Sequence, residues 1–170
     1  AHEVLRKHLK IERIHMMIGS SLGGMQAMEW AYQLNGKLDN LVILASNAKH
    51  SPWGIAFNES QRMAIEVDPT WKESNDEAGL NGMRVARSIA LLSYRTYSTY
   101  DHSQQENEEG KTDNYRASSY QRYQGEKLAR RFNAYAYWHL SKIMDSHDIG
   151  RGRKGLVPAL NEIKSRTLVI

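Results

Sequence analysis

The sequence contains no cysteine and only three prolines among its 170 residues. Without cysteine the chain has no disulfide, no thiolate ligand for a metal and no cysteine nucleophile. A nucleophile must therefore be sought among serine, threonine, lysine and the carboxylates. The absence of cysteine also suits a reducing compartment, and we expect a cytoplasmic protein.

Long apolar runs and a dense block of one charge are also missing. The longest apolar runs, 41–45 and 89–92, are far shorter than the ~20 residues of a membrane-spanning helix. The 23 Lys and Arg residues outnumber the 19 Asp and Glu residues only slightly, and they are spread along the chain. We therefore expect no membrane and no nucleic-acid partner. A hydrophobic content of 41% suffices for the core of one domain.

The two ends of the sequence have the pattern of strands and helices in alternation. Residues 11–18 and 38–45 are short, apolar and strand-like, and apolar residues recur at helical spacing over 25–34 between them. Residues 166–170 resemble another buried strand. This alternation predicts an α/β fold with a parallel sheet.

The middle of the sequence has helical patterns and no convincing strand. Ser51 precedes a proline, which predicts a helix start, and a capping box predicts another at Ser118. Residues 101–114 lack any apolar side chain and indicate a solvent-exposed loop. The predicted helices cover 52–65, 80–97, 118–132 and 133–145. We expect a sheet core at 1–48, an all-helical insertion at 49–158 and a return to the core at 159–170.

A G-x-S-x-G pattern, Gly19-Ser20-Ser21-Leu22-Gly23, lies where the first strand passes into a helix. At such an elbow small residues at Gly19 and Gly23 allow strand and helix to approach closely, and the central serine is exposed. The pattern predicts Ser21 as a nucleophile and the backbone N–H of Leu22 as an oxyanion donor, aided by the helix N-terminus. The alternative is a glycine-rich turn in which Ser20 or Ser21 only caps the helix.

A serine nucleophile needs a histidine base and an acid that orients it. In folds with this elbow the chain order is serine, acid, histidine. None of the seven histidines follows strand 166–170, so we expect the acid and the base outside these residues and an inactive fragment. His147 follows a helix among polar residues, which favours a loop over a metal ligand, and we expect no metal site.

Arg87 projects from the apolar stripe of its predicted helix. Apolar or aromatic residues lie four positions before it and three, four and seven positions after it. A buried guanidinium requires a partner. The pattern favours neither of two interpretations. Arg87 either binds the carboxylate of a substrate, or it has a structural role as an internal ion pair or a snorkelling side chain.

Together these motifs resemble the homoserine O-acyltransferase family of the α/β-hydrolase superfamily. The resemblance covers nearly the whole chain, although Ser20 stands where glycine is usual and Asn133 where aspartate is frequent. The matching blocks occur in the family's order at 19–31, 55–59, 68–71, 85–90, 119–127, 131–134, 144–145 and 148–153.

The resemblance implies an α/β-hydrolase fold with an inserted helical lid and a ping-pong acyltransferase of methionine biosynthesis. Ser21 would take an acetyl group from acetyl-CoA and pass it to the hydroxyl of L-homoserine, with no other cofactor. Arg87 would contact the amino-acid substrate, and the lid would supply a homodimer contact. A succinyl donor, an esterase of the same fold and a non-enzymatic relic or binding module remain alternatives.

Overall fold

A computed structural model describes all 170 residues. Contacts divide the chain into a sheet unit, Ala1–His50 with Ser146–Ile170, and a helical unit, Ser51–Asp145. The elements in chain order are α1 (His2–His8), β1 (Ile14–Ser20), α2 (Leu22–Leu34), β2 (Leu38–Leu44), α3 (Pro52–Glu66), α4 (Leu80–Ser93), α5 (Tyr97–Gln104), α6 (Arg116–Ala129), α7 (Ala134–Asp145), α8 (Leu156–Asn161) and β3 (Arg166–Val169). No helix is both long enough and apolar enough to cross a lipid bilayer.

The sheet unit contains three parallel strands in the order β1-β2-β3. Helix α2 provides the crossover between β1 and β2, as expected for parallel neighbours. The register pairs Met17 with Leu41, and Leu41 with Thr167. The α/β class with a parallel sheet is therefore confirmed. Because the strands are parallel and in register, the residues that follow β1 and β2 meet at one edge of the sheet.

The core of the sheet unit lies between α2 and β2. Small and apolar residues of α2 pack against Leu41 and Ile43, which are almost fully buried, and Ile149 and Ala159 complete the cluster. The segment after the helical unit therefore contributes to this core: 146–158, included in the insertion by the sequence-based boundaries, group with the sheet. On the opposite face Ile18 and Leu168 remain more than half exposed.

Helix α4 is central to the helical unit and packs against α3, α6 and α7. Two glycines bring backbones into direct contact. A Cβ on Gly82 would lie 2.4 Å from the Ala64 carbonyl oxygen, and a Cβ on Gly125 would lie 2.7 Å from that of Arg84. Either substitution would push two helices apart, so α4 is held at close range on both of these sides.

Arg62 of α3 is the largest fully buried side chain, with 1% of its surface exposed. Its guanidinium donates to Glu59 one turn earlier and, across the unit, to the Ser141 hydroxyl at 2.9 Å and to the Asp145 carboxylate at 2.5 Å. Asn58 donates to the other oxygen of Asp145 at 2.7 Å. A buried charge network therefore joins the middle of α3 to the end of α7.

Local sequence signals gave mixed results for the helix boundaries. Ser51 caps α3 as predicted, because its hydroxyl accepts the Gly54 N–H at 3.1 Å. The capping box at Ser118 is wrong, since α6 already begins at Arg116. The exposed loop predicted at 101–114 is wrong in its first residues, which complete α5. Helix α8 was not predicted.

Candidate active site

Ser21 occupies the turn between β1 and α2 with backbone angles of φ 51° and ψ −124°. A positive φ is strained for a residue with a Cβ and persists only where the surroundings enforce it. Ser21 stands at the N-cap position, yet its hydroxyl makes no capping hydrogen bond. The hydroxyl is therefore available for chemistry.

Glycines permit the sharp turn, though not the pair that the motif indicates. A Cβ on Gly19 would lie 2.3 Å from the Gly23 carbonyl oxygen, so strand and helix could not approach as closely with any other residue there. Gly23 itself has no neighbour within 4 Å of the position that a Cβ would take. The second close approach is at Gly24, whose added Cβ would lie 2.6 Å from the Ser46 Cβ. The steric role expected of Gly23 belongs to Gly24.

Segment 44–46, the last residue of β2 and the two residues after it, holds the backbone of Ser21 on both sides. The Ser21 N–H donates to the Leu44 carbonyl at 3.0 Å, and the Ser46 hydroxyl donates to the Ser21 carbonyl at 2.8 Å. The same carbonyl also accepts the N–H groups of Gly24 and Met25, the first turn of α2. These contacts supply the enforcement that the strained backbone requires.

The backbone N–H of Leu22 has no acceptor in the structure. Leu22 is the first residue of α2, and the first N–H groups of a helix have no partner within it. They carry the positive end of the helix dipole, which favours a negative charge placed there. The Leu22 N–H is therefore free to donate to a negatively charged oxygen placed there, and its role as an oxyanion donor stays a prediction.

No histidine hydrogen-bonds the Ser21 hydroxyl. In the sheet unit His147 is half-buried, and burial lowers its pKa, so the ring is neutral at neutral pH. Its Nε2 atom and the Oδ1 atom of Asn47 are buried without a hydrogen-bond partner. His147 does not belong to any cluster of three or more potential metal ligands, and the structure contains no such cluster.

Arg87 lies on α4, half-buried, with its guanidinium carbon 5.3 Å from the centre of the Tyr94 ring. The predicted apolar stripe is confirmed for Met83 and Leu91, which are buried on the same helix. It does not extend to Tyr94, which is 63% exposed. Arg87 forms no ion pair within these residues, and the choice between a substrate clamp and a snorkelling side chain stays open. By contrast, Arg84 on the same helix bonds Glu126 at 2.6 Å.

Asp68 fixes the N-terminus of α4, the helix that carries Arg87. The carboxylate is only 6% exposed and accepts the Gly82 N–H at 2.8 Å and both the N–H and the hydroxyl of Thr70. Burial by itself would raise the pKa of Asp68, but these hydrogen bonds outweigh it and the pKa is lowered. Asp68 therefore remains charged and substitutes for a side-chain cap, which Gly79 at the N-cap position cannot provide.

No role was predicted from the sequence for Ser46, Asp68 or Arg62, although Asp68 opens one of the blocks that match the family. For Ser46 a signal exists, because it follows the strand adjacent to β1 at the same edge of a parallel sheet as the elbow. The bond of Asp68 to Gly82 spans fourteen positions and that of Arg62 to Asp145 spans 83, and no local pattern indicates contacts over such distances in sequence.

A strand, a strained serine and a helix joined by close glycines are the features by which a nucleophile elbow is recognised. The family model described as "alpha/beta hydrolase fold" matches residues 1–160. The chain belongs to the α/β hydrolase fold family. The fold class expected from the sequence is thereby confirmed.

Three relatives of this α/β hydrolase refine the comparison. It is 56% identical over 170 residues to a homoserine O-acetyltransferase from Cyclobacterium marinum, covering 100% of this chain and 48% of that protein. The crystal structure of a homoserine O-acetyltransferase from Bacillus anthracis superimposes with a TM-score of 0.90 at 20% identity, covering 99% of this chain and 48% of that one. The crystal structure of an acetylester hydrolase from Corynebacterium glutamicum superimposes with a TM-score of 0.82 at 18% identity, covering 98% of this chain and 48% of that one.

The resemblance to homoserine O-acyltransferases is thus confirmed at the level of sequence. The two structural matches, at 20% and 18% identity, show the fold alone. The α/β hydrolase chain spans about half the length of the relatives that it matches.

Proposed function

We propose that this chain is part of an acyltransferase that moves an acetyl group from acetyl-CoA to the hydroxyl of L-homoserine, a step of methionine biosynthesis in the cytoplasm. The observation that carries the proposal is the elbow: a strained Ser21 with a free hydroxyl beside an unpaired Leu22 N–H. The identity of 56% to a protein named for this activity supports the choice of reaction within the fold.

The proposed reaction has two acyl transfers. The Ser21 oxygen attacks the thioester carbonyl, the carbon–sulfur bond breaks, and coenzyme A leaves as the thiol with the proton that serine loses. The homoserine hydroxyl then attacks the acetyl-serine ester and its proton returns to the Ser21 oxygen, which regenerates the enzyme. In both steps the Leu22 N–H stabilises the negative oxygen of the tetrahedral intermediate. Since Ser21 itself carries the acyl group, the reaction needs no metal or prosthetic group.

Arg87 supports an amino-acid acceptor over water. Guanidinium groups bind carboxylates through paired, charge-assisted hydrogen bonds, and Arg87 has no carboxylate partner of its own. We propose that it binds the homoserine carboxylate. The proton transfers need a histidine and an acid, and we propose that both lie outside these 170 residues, because no histidine here bonds Ser21.

The test is to express the protein from its complete reading frame, mix it with acetyl-CoA and measure intact mass and the modified peptide. We expect acetylation at Ser21, rapid discharge only when L-homoserine is added, and no acetylation of Ser21→Ala. The 170 residues alone should not turn over. If Ser21 stays unmodified with both acetyl-CoA and succinyl-CoA, the proposal is refuted.

An acetyl esterase of the same fold is the second candidate, because the C. glutamicum acetylester hydrolase shares the architecture at a TM-score of 0.82. A transferase must keep water away from the acyl-serine, while a hydrolase must admit it. Equal rates of discharge with and without homoserine would therefore establish the esterase. Discharge of a succinyl group instead would change the donor alone.

We also propose that the helical unit forms a homodimer contact. Large apolar side chains of this unit are exposed, among them Val67 at 79% and Tyr97 at 85%. Sedimentation equilibrium of the protein from the complete reading frame should give twice the chain mass, and replacement of Tyr97 by Glu should weaken the association. A monomer at all concentrations would refute it.

A further inference from the structure

We propose that Ser46 is a positioning residue that aims the oxyanion donor, acting through the peptide group between Ser21 and Leu22. The inference rests on the proposed function, because it takes the Leu22 N–H as that donor. Ser46 lies outside the G-x-S-x-G motif, in the segment that follows the neighbouring strand β2.

The argument begins with the geometry of one peptide group. The carbonyl of Ser21 and the N–H of Leu22 belong to the same planar, trans unit, and they point in opposite directions. Any group that fixes the direction of the carbonyl therefore fixes the direction of the N–H. The side chain that does so is Ser46, whose hydroxyl donates to the Ser21 carbonyl oxygen at 2.8 Å.

The hydroxyl of Ser46 adds to what the helix supplies. The Ser21 carbonyl accepts the Gly24 N–H at 2.9 Å and the Met25 N–H at 3.2 Å, both from the first turn of α2. These two donors tie the peptide group to the helix alone. Ser46 ties it to the sheet, so the orientation of the Leu22 N–H is set relative to the strands as well.

The segment around Ser46 is shaped for this contact. Ala45 lies between Leu44, whose carbonyl accepts the Ser21 N–H, and Ser46. Its φ is positive, 44°, which is strained for alanine. This conformation turns the chain so that Leu44 and Ser46 bond opposite ends of the same residue. Gly24 leaves the space that the Ser46 Cβ occupies, because a Cβ there would lie 2.6 Å away.

The bond also has an electrostatic effect. A donor on the carbonyl oxygen polarises the peptide group, and hydrogen bonds linked through one peptide strengthen each other. The Leu22 N–H is therefore a better donor to a developing negative oxygen when Ser46 bonds the carbonyl. Both effects act on the tetrahedral intermediate, where charge is present, and leave substrate binding unchanged.

The experiment compares Ser46→Ala with Ser46→Cys and with Ser60→Ala as the matched control. Ser60 also donates its hydroxyl to a backbone carbonyl, that of Ala56 at 3.0 Å, but on the exposed surface of α3. The protein from the complete reading frame is acetylated with p-nitrophenyl acetate and, separately, acetyl-CoA, and the rate of Ser21 acetylation is measured. Ser46→Ala should lower the rate of Ser21 acetylation about tenfold. This is more than the typical loss of one neutral hydrogen bond and less than the loss of an oxyanion donor itself.

Two further readouts separate positioning from loss of structure. Binding of methylboronic acid, which adds to Ser21 and places a negative oxygen near the Leu22 N–H, should weaken by the same factor as acetylation. The KM for L-homoserine should stay unchanged, Ser46→Cys should retain an intermediate rate, and Ser60→Ala should match the wild type. Equal acetylation rates in Ser46→Ala and wild type overturn this inference alone. A wild type that is never acylated at Ser21 overturns the proposed function together with it.

Discussion

Removing the charge of Arg62 should destabilise the helical unit far more than removing the charge of an exposed arginine. Arg62 is 1% exposed, and the Asp145 side chain that it bonds is only 14% exposed, whereas Glu59 is about half exposed to water and keeps Lys142 at 3.9 Å when Arg62 is replaced. The cost of the substitution therefore comes mainly from Asp145, left charged and partly desolvated. Breaking a buried pair in this way costs roughly 3–5 kcal/mol.

The bond from Asn58 to Asp145 remains in the variant and moderates this cost, so we expect about 3 kcal/mol for Arg62→Met. Methionine retains most of the apolar stem and limits the cavity. The control is Arg84→Met, because Arg84 bonds Glu126 at 2.6 Å with both side chains more than a third exposed. Such an exposed pair is worth at most about 1 kcal/mol.

Urea unfolding followed by far-ultraviolet circular dichroism measures the difference directly. Adding Asp145→Asn to Arg62→Met should recover about half of the loss, since the partly desolvated carboxylate that Arg62 neutralised is then itself uncharged. If Arg62→Met and Arg84→Met differ by less than about 1 kcal/mol, the network contributes no more than a surface pair and the reasoning fails.

Two predictions concern α4. Arg87→Ala should raise the KM for L-homoserine at least tenfold and leave acetylation of Ser21 by acetyl-CoA unchanged in a stopped-flow assay; equal loss in both steps would contradict a carboxylate clamp. The lowered pKa of Asp68 means that its stabilisation is present above about pH 4, its unfolded pKa, and is lost as the pH falls toward the folded pKa. Asp68→Asn should therefore lower stability near pH 7 but progressively less near pH 3, and a pH-independent difference in urea midpoints would refute this.

The turn with a strained serine between strand and helix could be predicted from the sequence because its determinants are local. Ser21, the small residue Gly19 and the flanking strand and helix lie within one short stretch, and the parallel class followed from apolar strands on either side of a helix. The cap at Ser51 is local as well, since the bond spans three residues.

The errors occur where distant contacts decide. Helix α6 begins at Arg116 because the Glu106 carboxylate accepts the Arg116 N–H at 3.0 Å, a partner ten residues away that outweighs the local capping box at Ser118. Helix α8 contains Pro158 within its first turn, where a missing N–H costs nothing, but in the sequence the proline indicates an end. For Ser46 the sequence indicates only the edge of the sheet, and its hydrogen bond to the Ser21 carbonyl depends on the register between β1 and β2.

The close crossings at Gly82 and Gly125 have a consequence for how this protein can change over evolution. Helix α4 is positioned by contacts between main chains, which are the same whatever the other side chains are. Side chains on its remaining faces, Arg87 among them, can then be exchanged without moving the helix axis. A lineage that kept these two glycines could replace exposed residues of α4 one at a time without moving the helix, whereas loss of either glycine would shift every residue of the helix at once.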